Sequence, residues 1–556
     1  MDRNTLFAFA LIAVILILTP WYMNVVSPAT VPIASDSLST LVTGDLQTNK
    51  KTSRSAATPL RDTVSSEALI SSTPETVIAV ENGLYSAEIS NINGGSFVSF
   101  VLNDYVKYDS SFVNVIDALN TQNLVVGFVS LDGDLVSLDR AWTVLSSGLR
   151  MSARKKQQTV VFETSFNGRS IKKRLTFSPG TYIIGLEVLF ENPEQYISRG
   201  TYSLSWSGGL APSEKNTKDE YTYFKGYALL GDELLGDDAE GGQGSEEKQS
   251  GTTNWTATKT KYFISAIMPS VPGVGALVSG VLDGGRPLFT TQLNQSTSAD
   301  GNFSLYVGPL EYNRVRSLGV DLENTMNLGW APIRPLGRLI TWSLTKMFQI
   351  IPNYGFVIII FAFVVKILLS PLTKKSFQST RRMQDLAPKI QALKEKHKND
   401  PKKLNAAQGE LFKSEGVNPL GGCLPMLLQM PILIAFFTIF RSTIEFRGAP
   451  FFGWITDLSV PDTLTTIAGF PINVLPFLMG ATMFLQQKLM ASPSGGAQQK
   501  MMMYFMNVFF LFIFYSFPSG LNLYYSVFNV LSIVQQKYLT PSSKNLPSKT
   551  IKKIKK

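Results

Sequence analysis

"GFVIIIFAFVVKILLSPLTKK", residues 355–375, decides how this chain is to be read. Eleven uncharged residues lead into Lys366, and three apolar residues and a serine separate it from Pro371. Such a run has the character of a bilayer-crossing helix, for which about 20 residues span roughly 30 Å of hydrocarbon. A charge near the centre of such a helix costs roughly 2.5–3.5 kcal/mol even on insertion-based scales. Pro371 lies only about 7.5 Å of helix rise beyond the lysine. Two readings stay open: a lysine that snorkels to the headgroups, and one that faces a hydrated recess open to the cytoplasm.

Outward from this stretch, the apolar segments at 350–372, 420–440, 467–489, 501–517 and 521–539 read as five spans, with 501–517 short at about 17 residues. Another apolar run, "LFAFALIAVILILTPW" (6–21), follows an n-region holding only Arg3, with no small-x-small site after it. It reads as an uncleaved signal anchor over 1–23 with a cytoplasmic N-terminus; a cleavable signal peptide is the competing reading. The expected fold is therefore a polytopic α-helical membrane protein of six spans.

Between anchor and spans the pattern changes. Residues 24–75, rich in Ser, Thr, Ala and Pro, read as a flexible linker. From 76 to 330 the period becomes two: Tyr182, Ile184, Leu186, Val188 and Phe190 share one face, and Tyr202, Leu204 and Trp206 alternate with serines. With turn signals such as Asn93-Gly94-Gly95, this predicts a large antiparallel β-sandwich domain. The acidic, Gly-rich insert at 231–251 reads as a loop. Residues 334–349 read as an amphipathic helix, either lying in the membrane interface or capping the domain surface.

The charge of +10 is uneven, and its distribution reads as membrane topology rather than nucleic-acid binding. Eleven basic residues fall in 373–418, only Arg447 in 442–466, and a basic cluster closes the chain in the tail 541–556. The positive-inside rule then places the basic loop and both termini in the cytoplasm and the β domain outside. Within the loop, 373–417 reads as a helical hairpin broken at Asn399-Asp400-Pro401. Arg381, Arg382, Lys389 and Lys394 are its candidate contacts to anionic lipid or ribosomal RNA, a solvated charged face being the plainer alternative. One cysteine excludes an internal disulfide and one histidine excludes a histidine-based metal cluster. No phosphate-binding G-x-x-x-x-G-K-[ST] loop occurs.

In the last segment Asn522, Tyr525, Asn529, Ser532 and Gln536 form one helical stripe. Lipid satisfies none of them, so the stripe faces protein or water. With Lys366 and Gln429 it would line a shared hydrophilic groove; the alternative is interhelical hydrogen bonding that binds the bundle together. Cys423, Met426, Met430 and Met506 supply an adaptable apolar wall along which a substrate helix would slide, Met being equally common as core filler.

The blocks "SPLTKKSFQSTRRMQDLAPKIQALKEK" (370–396), "NPLGGCLPMLLQMPILIAFF" (418–437), "APFFGWITDLSVPD" (449–462) and "FPSGLNLYYSVFNVLSIVQQ" (517–536) resemble the YidC family of membrane protein insertases, in its long Gram-negative form. The resemblance covers essentially the whole chain. It implies a periplasmic β-supersandwich, a five-span core at 350–540 with a groove open to the cytoplasm, and insertion and folding of inner-membrane proteins without enzymatic chemistry or a cofactor. The implied partners are nascent membrane proteins, the Sec translocon (including SecDF through the periplasmic domain), the ribosome through the basic loop and tail, and membrane lipids. The family's groove charge falls at Lys366, where an Arg is usual; Lys lacks the planar guanidinium fork. A threonine near that charge in some members is Ala362 here, and the final-span tyrosine is kept as Tyr525. A solute transporter or channel with an external β domain is the competing class, predicting an internal repeat and interrupted helices, and no repeat is visible between the spans. A β-domain receptor is a third.

Overall fold

The computed structural model describes residues 74–117, 122–146, 148–237, 245–329, 332–398, 400–417, 424–490 and 497–539. The expected anchor 1–23, the linker up to residue 73, Cys423 and the tail 541–556 lie outside them. The chain divides into two compact units, Met1–Pro309 and Leu310–Lys556.

The described residues of the first unit form two sheets. A five-stranded sheet runs in the order Phe112–Asn114, Ser96–Val106, Tyr85–Ser90, Val77–Glu81, Arg150–Ser152, antiparallel except for the last pair. Among the described residues the second sheet has fourteen strands. It turns a corner on the 15-residue strand Ser245–Lys259. Ser245–Ser250 pairs with Gly275–Gly280 of one neighbour, whereas Thr256–Lys259 pairs with Ile264–Ile267 of another. A register shift between Ser250 and Thr253 marks the corner, as a bulge bends a strand and raises its twist. The period-two faces are buried: Tyr182, Ile184, Leu186, Val188, Tyr202, Leu204 and Trp206 all lie in the core. Ring contacts join the two sheets, Tyr85 to Tyr182 at 6.1 Å and Phe97 to Trp206 at 6.4 Å. This is the face-to-face packing of a β-sandwich.

The insert at 231–251 departs from its reading as a loop. Glu233–Asp237 pairs with Lys225–Leu230, and Ser245–Ser250 pairs as above. Residues 246–251 are exposed, so polar side chains suit both faces while ladder hydrogen bonds satisfy the backbone.

The second unit is helical: α1 Arg334–Phe348, α2 Tyr354–Asp385, α3 Ala387–Lys396, α4 Pro401–Ser414, α5 Leu424–Ser442, α6 Leu475–Met490, α7 Ala497–Phe514 and α8 Ser519–Val534, the last continuing as a π-turn over Gln535–Leu539. One helical stretch among the described residues, Tyr354–Lys374, is both long and apolar enough by itself to cross a membrane. Helix α2 runs on for 32 residues through Pro371, so the basic segment up to Asp385 extends the same helix rather than opening a separate hairpin. The hairpin proper is α3 and α4. Asp400 caps α4 by accepting from the Lys403 N–H, and Pro401 fills its first turn. The expected span 467–489 is shortened: Thr463–Ile467 and Phe470–Asn473 form a β-hairpin, and only Leu475–Met490 is helical. Both residues of its two-residue turn, Ala468 and Gly469, have positive φ, which matches the twist of the flanking strands.

The helical core is aromatic and tightly packed. Tyr524 lies 4.2 Å, centroid to centroid, from Phe436 and 5.8 Å from Phe528, and the Phe436 ring stacks on Phe440. Gly520 lets α8 approach the Phe440 ring: a Cβ there would meet it at 2.8 Å. Close backbone approach through small residues is how helices associate where lipid supplies no hydrophobic drive.

Candidate functional site

Lys366 sits mid-way along α2 and is buried, 7% exposed. Its Nζ donates to Ser532 Oγ on α8 at 2.7 Å, and the Ser532 hydroxyl donates back to the Phe528 carbonyl at 2.8 Å. The ammonium lies over two rings, 4.6 Å from the Phe528 centroid and 5.7 Å from that of Phe377. Its partners are thus a hydroxyl and two π faces, with no carboxylate paired to it among the described residues. A cation–π contact of this kind is worth about 2 kcal/mol when desolvated.

Below Lys366 a polar ladder joins α2 to the end of α8. Gln535 Nε2 donates to Ser370 Oγ at 3.0 Å and to Thr373 Oγ1 at 3.1 Å. Arg381 donates to the Gln536 carbonyl at 2.8 Å, and Gln536 Nε2 to the Leu489 carbonyl of α6 at 3.1 Å. The π-turn brings both neighbouring glutamines, Gln535 and Gln536, into these contacts. Sequence reading finds Gln536 in the stripe but misses Gln535, Ser370 and Thr373, because a stripe drawn at α-helical spacing skips the residue that the wider turn brings round.

The structure does not bring the other four expected groove residues, Gln429, Asn522, Tyr525 and Asn529, together around the lysine. Asn522 is fully buried in the first turn of α8, about 15 Å of helix rise from Ser532. It donates to the Phe514 carbonyl at 3.1 Å, closing the α7–α8 turn. Asn529 donates to Thr482 Oγ1 of α6 at 3.3 Å. Gln429 of α5 donates at 3.2 Å to the hydroxyl of Tyr524, the neighbour of the expected Tyr525. Tyr525 is half-buried, its ring 5.4 Å from Phe514. Asn522, Asn529 and Ser532 therefore tie α8 to different partners, and only Ser532 touches the charge.

Met430 is 39% exposed and Met506 half-buried; the Met426 side chain lies outside the described residues, like Cys423. Of the expected loop contacts, Arg381 and Arg382 belong to α2 itself, and Arg381 is engaged with the α8 end. Lys389 pairs with Glu415 at 2.6 Å across the α3–α4 hairpin, and Lys394 is exposed.

At the opposite end of α6, Asp462 Oδ2 accepts from the Val474 and Leu475 N–H groups at 3.0 and 2.7 Å, and from Trp454 Nε1 at 3.0 Å. This one carboxylate anchors the first turn of α6 and the loop that leads to it.

Residues 77–343 match the family model described as the YidC periplasmic domain, and residues 346–545 that of the 60Kd inner membrane protein. The membrane protein insertase YidC of Chlorobaculum parvum is 35% identical over 97% of this chain and 94% of the relative. That of Chlorobium luteolum is 33% identical over 99% and 97%. A solved structure described as an active YidC insertase with its first transmembrane domain resolved aligns at 17% identity and TM-score 0.37, covering 84% of this chain and 93% of the other. On the two family matches and these full-length relatives, the chain belongs to the YidC family of membrane protein insertases, inner membrane proteins that carry a periplasmic β-sandwich domain and are not enzymes.

Proposed function

We propose that this insertase works through Lys366 as a latched cation, which Ser532 and Phe528 hold at rest and which an acidic substrate tail takes over during insertion. The observation that carries the reading is the neutrality of the lysine's partners. A buried cation with a carboxylate partner has most of its field cancelled. One held by a hydroxyl and a ring keeps it for an incoming anion, and the low local dielectric strengthens that attraction. Gln429, Asn522, Tyr525 and Asn529 are exchangeable hydrogen-bond partners for a polar segment once the helices part. The resting bonds of Gln429, Asn522 and Asn529 lie within the bundle, so the hydrophilic groove belongs to the engaged state rather than the resting one. Met430 and Met506, with Met426 and Cys423, form the apolar side along which the substrate's helix slides towards lipid.

The chain spans the membrane six times, with both termini and the α3–α4 hairpin cytoplasmic, in line with the charge asymmetry of the loops. The short span read over 501–517, at about 17 residues, measures roughly 26 Å. Helices shorter than the hydrocarbon layer thin the bilayer around them and lower the barrier for a polar tail. Burial of the substrate's own apolar helix drives the step. Basic residues of the hairpin and tail dock the ribosome or anionic lipid, and the Sec translocon is a partner in part of this work.

Reconstitution into proteoliposomes tests the reading. Lys366→Gln slows insertion of a substrate with an acidic tail about tenfold, and Lys366→Arg restores it. Full-rate insertion by the neutral variant removes the attraction role. Solute flux without substrate insertion would favour a transporter.

A further inference from the structure

A recess of about 350 Å³ opens beside α1, lined by Tyr312, Arg316, Glu323, Arg338, Leu339 and Trp342. Three local elements build it: the short helix Tyr312–Arg316, the turn Leu322–Thr325 and α1. Each guanidinium is oriented by a neutral group, Arg316 donating to the Tyr312 hydroxyl at 3.2 Å and Arg338 to Asn324 Oδ1 at 2.9 Å. Glu445 steadies the Tyr312 side by accepting its backbone N–H at 2.9 Å. Glu323 lines the same recess, and its Oε2 is buried with no hydrogen-bond partner among the described residues. A buried carboxylate oxygen without a donor is costly, and such groups call for an explanation.

We propose that this recess binds the headgroup of a phospholipid with a free ammonium, phosphatidylethanolamine in kind, its phosphate on Arg316 and Arg338 and its ammonium on Glu323. Two guanidiniums suit a phosphodiester, which arginine holds with paired N–H bonds. A purely anionic headgroup would leave Glu323 both unpaired and repelled. A zwitterion satisfies all three charges at once. The lipid source follows from the surroundings. Leu339 and Trp342 line the same recess from α1 and are 57% and 46% exposed, an apolar surface for acyl chains with an indole at its polar edge. Only five residues separate α1 from α2, the membrane-crossing helix, which places α1 at the bilayer surface. Headgroup binding is independent of the Lys366 mechanism and is read separately from insertion.

Native mass spectrometry of the full chain in detergent tests this, titrating phosphatidylethanolamine, its mono-, di- and trimethylated series ending in phosphatidylcholine, and glycerophosphoethanolamine, which has no acyl chains. The expected result is about tenfold tighter retention of the free-amine lipid than of phosphatidylcholine, falling stepwise with methylation as N–H donors are lost. Glu323→Gln abolishes the preference, Arg338→Gln weakens every lipid, and Arg338→Lys retains the preference. Equal retention across the methylation series overturns the proposal without reference to any variant. Unchanged preference in Glu323→Gln also overturns it. Competition by the chain-free headgroup at lipid-like concentrations overturns the assignment to a lipid.

Discussion

Lys366 on α2 donates at 2.7 Å to Ser532 on α8, so one neutral hydroxyl joins the bundle's buried charge to its last helix. This contact both stabilises the bundle and restrains the cation. Ser532→Ala removes the acceptor and leaves the ammonium on ring faces alone. The expected loss is about 0.5–2 kcal/mol, between the usual membrane interhelical bond and a soluble charge-assisted one. Denaturant titration of the bilayer-reconstituted chain measures it. In the Lys366→Met background the same serine change is close to neutral.

Gly355 opens the first turn of α2 against Phe451, where an added Cβ would lie 1.9 Å from the ring. Neither helix backbone nor a packed phenyl yields that distance. Gly355→Ala is expected to cost 1–3 kcal/mol or more, on the order of other overpacked cores, and to lower the yield of folded protein. Gly409 in α4 meets nothing within 4 Å. Gly409→Ala is expected to stabilise by up to about 1 kcal/mol through helix propensity. Thermal unfolding of the two variants separates close approach from propensity.

Asp462→Ala removes the acceptor shared by Val474, Leu475 and Trp454. The first turn of α6 should fray by about 0.5–2 kcal/mol. Hydrogen exchange at the amides of Val474, Leu475, Phe477 and Leu478 checks this, and Asp462→Asn, which keeps one acceptor oxygen, falls between wild type and alanine.

In the β domain, Lys173 is fully buried and donates to the carbonyls of Asn93 and Leu124, both at 2.5 Å, beneath the Trp142 ring. Burial pushes its ammonium down to about 7, and burial together with Lys225 does the same to Lys259. The sign follows from proton counts. Between about pH 7 and the ordinary lysine range near 10.5, the unfolded chain binds more protons than the folded one, so stability rises with pH across that window. Lys173→Met flattens part of this rise, and Lys259→Met most of the rest. Hydrogen exchange of strand Arg169–Phe177 at pH 7 and 9, corrected for intrinsic rates, measures the slope.

What the amino-acid order displays and what it conceals divide along physical lines. Period-two burial in strands such as Ile183–Phe190 is legible because one face meets the core and the other does not. The hairpin at 463–473 is concealed by its composition. Leu464, Ile467 and Phe470 are apolar enough to pass for helix, although Thr463, Thr465, Thr466 and the Ala468-Gly469 turn carry strand chemistry. The charge at Lys366 is plain in sequence, but its partner is not. Ser532 is 166 positions away, and nothing in the stripe distinguishes it from Asn529 or Asn522 until the helices are packed.

The central claim is that the field of Lys366 acts on substrate charge, and a cycle across the two molecules measures that coupling most directly. Insertion rates are compared for one substrate with an acidic tail and with the same tail amidated to Asn and Gln, in wild-type and Lys366→Gln proteoliposomes. The account predicts that wild type favours the acidic tail and that Lys366→Gln erases most of that preference while inserting the amidated tail nearly as fast as before. An identical acidic-to-neutral ratio in both proteins would contradict it, leaving Lys366 as a tie between α2 and α8 and nothing more.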